Sequence, residues 1–213
     1  MGAKEEKTGE IAMTVFTVPT IPGEFPWKNR PLDWKVGPGN SLTIIAGEGT
    51  DWFIDPAGTY TKDNAPSALF PPPDEDFLLS AKVAVGFAST FDAGVLQVRE
   101  RDDLWAKLCF EYSPQRQPMI VSVVTREVSD DCNSVPIEGQ EVYLRIARSA
   151  QTFAFHYSQD GRYWHLVRYF TLGKLDNLRV GFSSQSPTGQ QCSVVFSEIS
   201  YRPGTLKDNR SGE

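Results

Sequence analysis

Apolar side chains recur at every second position over much of this chain, and that period constrains its fold more than any other feature. Gly94–Arg99 and Trp105–Tyr112 alternate, as do Gln117–Thr125, Glu141–Arg148, Thr152–Ser158, Trp164–Phe170 and Ser193–Ile199. Residues two apart share one face of a strand, whereas a helix needs recurrence near 3.6. No stretch longer than about ten residues keeps a helical period without a Pro, Gly or β-branched interruption. Turn chemistry punctuates the runs at Gly37-Pro38-Gly39-Asn40, Asp102-Asp103, Gln159-Asp160-Gly161-Arg162 and Ser186-Pro187-Thr188-Gly189. Such spacing belongs to a sandwich. Asp160-Gly161 suits the positive φ values of a two-residue type I′ hairpin. The pattern predicts an all-β, two-sheet antiparallel jelly-roll sandwich of about twelve to fifteen strands.

The 213 residues suit one such domain, since sandwiches reach roughly 200–250 residues as a unit. Residues 1–12 and 203–213 are polar and aperiodic and predict disordered ends around a single domain at 13–202. Pro71-Pro72-Pro73 reads as a stiff loop within it. A net charge of −6 and a pI near 5.0 argue against nucleic acid as a partner, because its binders gather positive charge on one face. They also disfavour anionic membranes. The longest apolar runs are broken within strand length, so no membrane span is expected. Met1–Lys7 leads into no hydrophobic segment, which reads as the absence of a secretory signal. Cys109, Cys132 and Cys192 are odd in number and scattered, which predicts free thiols, a reduced compartment and a cytoplasmic location. There is no Gly-x-Ser-x-Gly, phosphate loop, dinucleotide fingerprint or zinc motif, so neither a cofactor nor a metal is expected.

Four segments, in order, resemble the family known as "regulation of enolase protein", a domain of unknown function with a concanavalin A-like lectin/glucanase fold. They are Phe25-Pro26-Trp27-Lys28-Asn29-Arg30-Pro31 with Trp34 and Gly49-Thr50-Asp51-Trp52-Phe53; then Asp92–Arg99 leading to Trp105–Glu111. The third is Ser122–Thr125 with Ser129-Asp130, and the last is Tyr157–Trp164 followed by Val180-Gly181-Phe182 and Gln185-Ser186-Pro187. The resemblance implies a jelly roll with one concave face, the face on which lectins hold sugars and glucanases cut them. Where such relatives tend to carry Asn-Gly-His, this chain has Asn64-Ala65-Pro66-Ser67. Where they tend to carry Ser-Asp-Trp, it has Ser129-Asp130-Asp131.

Strand parity places candidate chemistry on one face. If Gly94–Arg99 and Trp105–Tyr112 pair through Asp102-Asp103, then Gln97, Arg99, Trp105, Lys107 and Glu111 lie together, opposite Leu96, Val98, Leu108 and Phe110. An aromatic with a carboxylate, an amide and cations suits a sugar's C–H surface and hydroxyls. The same residues also suit a solvated face with cross-strand charge pairs. Asp51 and Trp52, near a strand end, are expected to rim a cleft. Hydrolysis of a glycosidic bond needs two carboxyl groups; Glu111 is one candidate, and Asp51, Asp55, Asp92 or Glu100 the other. A strict two-residue hairpin sets His156 directly opposite His165, a two-nitrogen start for a metal site with no third ligand indicated. Cys109, on the polar face, and Cys132, in a loop, are expected to be partly exposed.

The first functional reading is a non-catalytic binding module for a carbohydrate or small polyol on the concave face, through Asp51, Trp52, Gln97, Arg99, Trp105, Lys107 and Glu111. The second is a cytoplasmic regulator acting through contacts with a metabolic enzyme such as enolase, which the family resemblance implies. The third is a glycan-active hydrolase.

Overall fold

The computed structural model describes residues 15–213; the N-terminal end predicted at 1–12 lies outside them. In chain order the strands are β1 (Val15–Thr17), β2 (Glu24–Lys28), β3 (Asp33–Gly37), β4 (Ser41–Gly47), β5 (Trp52–Ile54), β6 (Thr61–Asp63), β7 (Ser67–Phe70), β8 (Phe77–Val85) and β9 (Ala93–Arg101). There follow β10 (Leu104–Tyr112), β11 (Pro118–Arg126), β12 (Val128–Pro136), β13 (Glu141–Ser149), β14 (Thr152–Ser158), β15 (His165–Thr171), β16 (Arg179–Gln185) and β17 (Gln191–Pro203). Eight form one sheet in the order β1-β2-β7-β16-β9-β10-β11-β12, and seven form the other in the order β15-β14-β13-β8-β17-β4-β3. All pairings are antiparallel. The chain is the expected jelly-roll sandwich. Its strands exceed the expected number because β1, β5, β6 and β7 have three or four residues each, too few to show a period. Among the described residues no helix is long and apolar enough to cross a membrane.

One core fills the space between the sheets. Leu96, Val98, Leu108, Phe110, Val180 and Phe182 from the first sheet meet Val83, Leu144, Phe155, Val194 and Phe196 from the second. Each large side chain removed from water contributes about 1.5–3 kcal/mol. The outer face of the first sheet departs from a half-solvated pattern: β9 and β10 are buried on both faces for nearly their whole length. The cover is the β5–β6 hairpin and its flanking loops. Trp52 packs on Ala65, Trp105 and Val123. Ile54 N donates to Ser129 Oγ at 3.0 Å, and Asn29 Nδ2 donates to the carbonyls of Asp63 and Ala65. The hairpin is thus strapped to β12 on one side and to the end of β2 on the other.

Two expectations need correction at the second sheet. The β14–β15 connection is longer than two residues, and a register irregularity at Phe155/His156 sets His156 opposite Leu166 and His165 opposite Tyr157. Asp160 Oδ1 accepts from the backbone of Arg162 and Tyr163 and from Ser158 Oγ, a side-chain-closed turn rather than a bare I′ turn. The histidines therefore do not face each other. His165 stacks on Tyr157, whereas His156 is buried and its Nε2 lies 2.8 Å from the Asn209 carbonyl.

The C-terminal segment, expected to be disordered, is seated on the outer face of this sheet. Leu206 packs beside Leu78, Ala147 and Ala154. Asp208 closes a turn by accepting from Arg210 N and Ser211 N, and the carbonyl of Gly212 accepts from Arg145 Nη2 at 2.8 Å. Arg145 in turn stacks on Trp164 at 4.1 Å. Gly212 has φ +80°, and a Cβ there would meet Arg145 Nη2 at 2.8 Å and Trp164 Cβ at 2.9 Å. Composition hid this seat because Leu206 is its one apolar contact and the rest is made by the Asp208 turn and backbone carbonyls.

Candidate functional site

Strands β9 and β10 pair through the Asp102-Asp103 turn, with Trp105 opposite Arg99, Lys107 opposite Gln97 and Glu111 opposite Ala93. On the outer face of that ladder a cavity of about 260 Å³ opens beside the β5–β6 hairpin. Its floor is Lys107 and Glu111 from β10, Val123 from β11 and Gln185 from β16; Asp51 and Asp131 stand at its wall. Phe53, Tyr60 and Phe91 bring aromatic rings to it.

The floor is one hydrogen-bonded chain. Lys107 Nζ donates to Asp51 Oδ1 and to Gln185 Oε1, each at 2.9 Å. Gln185 Nε2 faces the Phe91 carbonyl at 3.2 Å and Glu111 Oε2 at 3.5 Å. Asp51 is fixed in turn: its carboxylate accepts from Trp52 N, and its own backbone N–H donates to Asn64 Oδ1. Burial is the strongest influence on the Lys107 ammonium and disfavours it, but the charge and hydrogen bond of Asp51, with the acidic groups of Cys109 and Glu111, together hold the group above the ordinary lysine value. Glu111 has no such clamp. Burial pushes its carboxyl up to about 8, against the pull of Lys107 and with the charges of Asp131 and Asp51 adding to the rise. Near neutral pH Glu111 is therefore a neutral donor beside a cation. Enclosure at the wall also raises Asp131.

Phe91 is the strained member of the site. It is partly exposed, and its backbone sits at φ +69°, a conformation that bulky residues rarely adopt. Its N–H donates to the Tyr112 carbonyl at 2.7 Å and its carbonyl accepts from Gln185, so the turn is held from both sides. Tyr60, 52% exposed, stacks on Phe53 with ring centroids 5.8 Å apart. Exposed aromatic rings over a floor of donors and acceptors suit a ligand with both C–H faces and hydroxyls.

Of the seven residues predicted from sequence, Asp51, Lys107 and Glu111 line this cavity. Trp52, Gln97, Arg99 and Trp105 do not. They lie under the hairpin, where Trp52 and Trp105 are each 1% exposed. There Trp52 Nε1 donates to Ser67 Oγ, Ser67 Oγ donates to Gln97 Oε1, and Arg99 stacks on Trp52 at 4.2 Å. Trp105 therefore offers no ring to a sugar, and Trp52 is a core residue rather than a rim. Among the proposed partners of Glu111, Asp92 is buried and caps Ala88, Ser89 and Ser186. Glu100 accepts from the backbone of Asp176 and Asn177, and Asp55 from Thr59. Asp51 and Asp131 are the carboxylates that share the cavity with Glu111. Cys109 is fully buried, contrary to expectation, and burial lifts its thiol well above the ordinary range. Cys132 is exposed, as expected, but on a strand.

Phe53, Tyr60, Phe91, Asp131 and Gln185 were not legible as site residues. They converge from separate loops and strands, and only the Asp51-Trp52-Phe53 run, the Gln185-Ser186-Pro187 turn and the Asp131 departure from the family pattern carried a sequence signal at all.

The comparisons match this fold. A functionally unknown protein from Saccharomyces cerevisiae superposes with a TM-score of 0.77 at 24% identity, over 85% of this chain and 97% of that one. The GH43 BlXynB protein from Bacillus licheniformis gives 0.69 at 15% identity, over 85% of this chain but 36% of that one. An alginate lyase from Klebsiella pneumoniae gives 0.55 at 12% identity, over 83% and 86%. At such identities the likeness is one of fold, a sandwich shared with carbohydrate-active enzymes. No curated protein matches the chain in sequence. A family model matches residues 27–204, most of the chain, which therefore belongs to the family described as "Protein of unknown function (DUF1349)".

Proposed function

We propose that the chain is a binding module for an uncharged carbohydrate or small polyol, held in the cavity between the β5–β6 hairpin and the Phe91 turn. The observation that carries this reading is the pairing of Tyr60 and Phe91, rings open to solvent, with a buried floor of Lys107, Gln185 and Glu111. The rings take the C–H faces of a sugar, and Glu111 in its neutral form donates to a hydroxyl. Lys107 is clamped by Asp51 and Gln185 and keeps the floor in place. Near neutral pH Lys107 and Lys62 are balanced by Asp51 and Asp131 and Glu111 is uncharged, which suits a neutral ligand. The test is a glycan-array screen followed by calorimetry on any hit, with Tyr60→Ala and Glu111→Gln beside the wild type. Tyr60→Ala is expected to weaken binding about tenfold, through lost stacking. A wild type that binds no glycan overturns the reading and leaves regulation of a metabolic enzyme by protein contact, which a pull-down then addresses.

A second reading, a glycan hydrolase, is favoured by one observation: Glu111 is a carboxyl near 8 that shares the cavity with Asp51 and Asp131. An acid with a raised pKa beside a second carboxylate is what glycoside hydrolysis asks for. Glu111→Gln separates the two, since hydrolysis would fall by a factor of at least about a hundred while binding would weaken only modestly.

A further inference from the structure

The same sheet face carries a second cavity, of about 370 Å³, at the Arg101 end of β9. Lys28, Arg99, Arg101 and Arg179 line it, against Glu100 and Asp102. In a chain of net charge −6 this is a local reversal of sign. Arg179 on β16 stands directly opposite Arg99 on β9, and like charges so placed repel. Their counter-charge is thin. Arg99 Nη2 and Lys28 Nζ share one oxygen of Asp102, at 2.6 and 2.9 Å. Arg101 is taken by Asp103, and Glu100 turns to the backbone N–H groups of Asp176 and Asn177. Arg179, exposed at the rim, has no partner among the described residues. Arg99 is 5% exposed and its Nη1 is enclosed without a hydrogen-bond partner.

A buried cation with an unmet donor, facing an unpaired cation across a strand, costs stability unless something fills the gap. We propose that this cavity is an oxyanion site, taking a carboxylate, sulfate or phosphate group between Arg99 and Arg179. Guanidinium forks suit such groups because they offer paired, parallel N–H donors. Lys28, which also lines the cavity, adds a further donor. Pro26 and Leu69 in the lining leave an apolar shelf for the remainder of the ligand. The site is separate from the cavity of Glu111 and does not depend on what that cavity binds.

Titration calorimetry at low ionic strength tests it, with inorganic phosphate, inorganic sulfate and glucuronate as probes and glucose as the uncharged control. At least one oxyanion is expected to bind saturably to the wild type. Arg179→Ala is expected to weaken that binding about tenfold with a Tm that is unchanged or raised, because the side chain is exposed and its loss relieves the repulsion with Arg99. Arg162→Ala, at an exposed arginine in the turn between β14 and β15, removes the same charge and is expected to change nothing. Glucuronate outbinding phosphate and sulfate identifies a carboxylate-bearing sugar as the source, and the reverse order a tetrahedral anion. Absence of saturation, equal loss in both variants, or full binding by Arg179→Ala overturns the proposal.

Discussion

Phe91 holds a phenyl ring on a left-handed backbone, which costs on the order of 1–3 kcal/mol for such a residue. Replacing it with glycine removes both ring and strain. Phe91→Gly is therefore expected to keep or raise the Tm while lowering affinity for any glycan that the wild type binds; scanning calorimetry and titration calorimetry read the two effects separately. Glu111 makes a pH prediction. Its carboxyl rises from 4.5 to about 8 on folding, so between those values the folded chain keeps a proton that the unfolded chain has lost. Stability falls as pH rises through that window and levels off above it. Glu111→Gln is expected to flatten this slope and to exceed the wild type in Tm above pH 8, as melts run across that range will read. Strand parity made Lys107 and Glu111 legible in the sequence. Phe91 was not, because nothing in Thr90-Phe91-Asp92 announces a positive φ.

At the scale of the element, parity found the right face but not its cover. Trp105, Gln97 and Arg99 do share a side with Lys107. Three-residue strands carry no period, so the β5–β6 hairpin that seals this side was invisible, and with it the reason Trp105 and Gln97 line no cavity and Arg99 lines a different one. Trp52 is the anchor of that hairpin, and Trp52→Ala is expected to cost about 3–5 kcal/mol and to open residues 55–60 to limited proteolysis. The C-terminal turn makes the same point on the other sheet. Gly212→Ala puts a methyl group against Arg145 and Trp164 at a positive φ, so a loss of about 1–2 kcal/mol is expected. Burial lowers His156 beneath this turn to about 4. A depressed folded value means that stability is lost as pH falls from the unfolded value near 6.5 toward 4, and removal of residues 205–213 is expected to shrink that loss in pH-dependent melts.

At the scale of the molecule, the sandwich was legible because its core depends on a repeated pattern, and the site was half legible because it depends on a few irregularities. Alternation over β9–β11, β13, β14 and β17 is enough to define two sheets with a shared interior. The cavity exists where that regularity is broken: at the Phe91 turn, at the hairpin over β10 and β11, and at the Ser186-Pro187 turn after Gln185. On the function proposed above, this break is a ligand site for an uncharged polyhydroxy compound. Heteronuclear NMR of the labelled protein, titrated with the best glycan from an array, tests it most directly. The expected result is saturable shifts confined to Phe53, Tyr60, Phe91, Glu111 and Gln185, weakening as pH rises through 8 while Glu111 loses its proton. Shifts centred on any other surface, or none with any glycan, would contradict it.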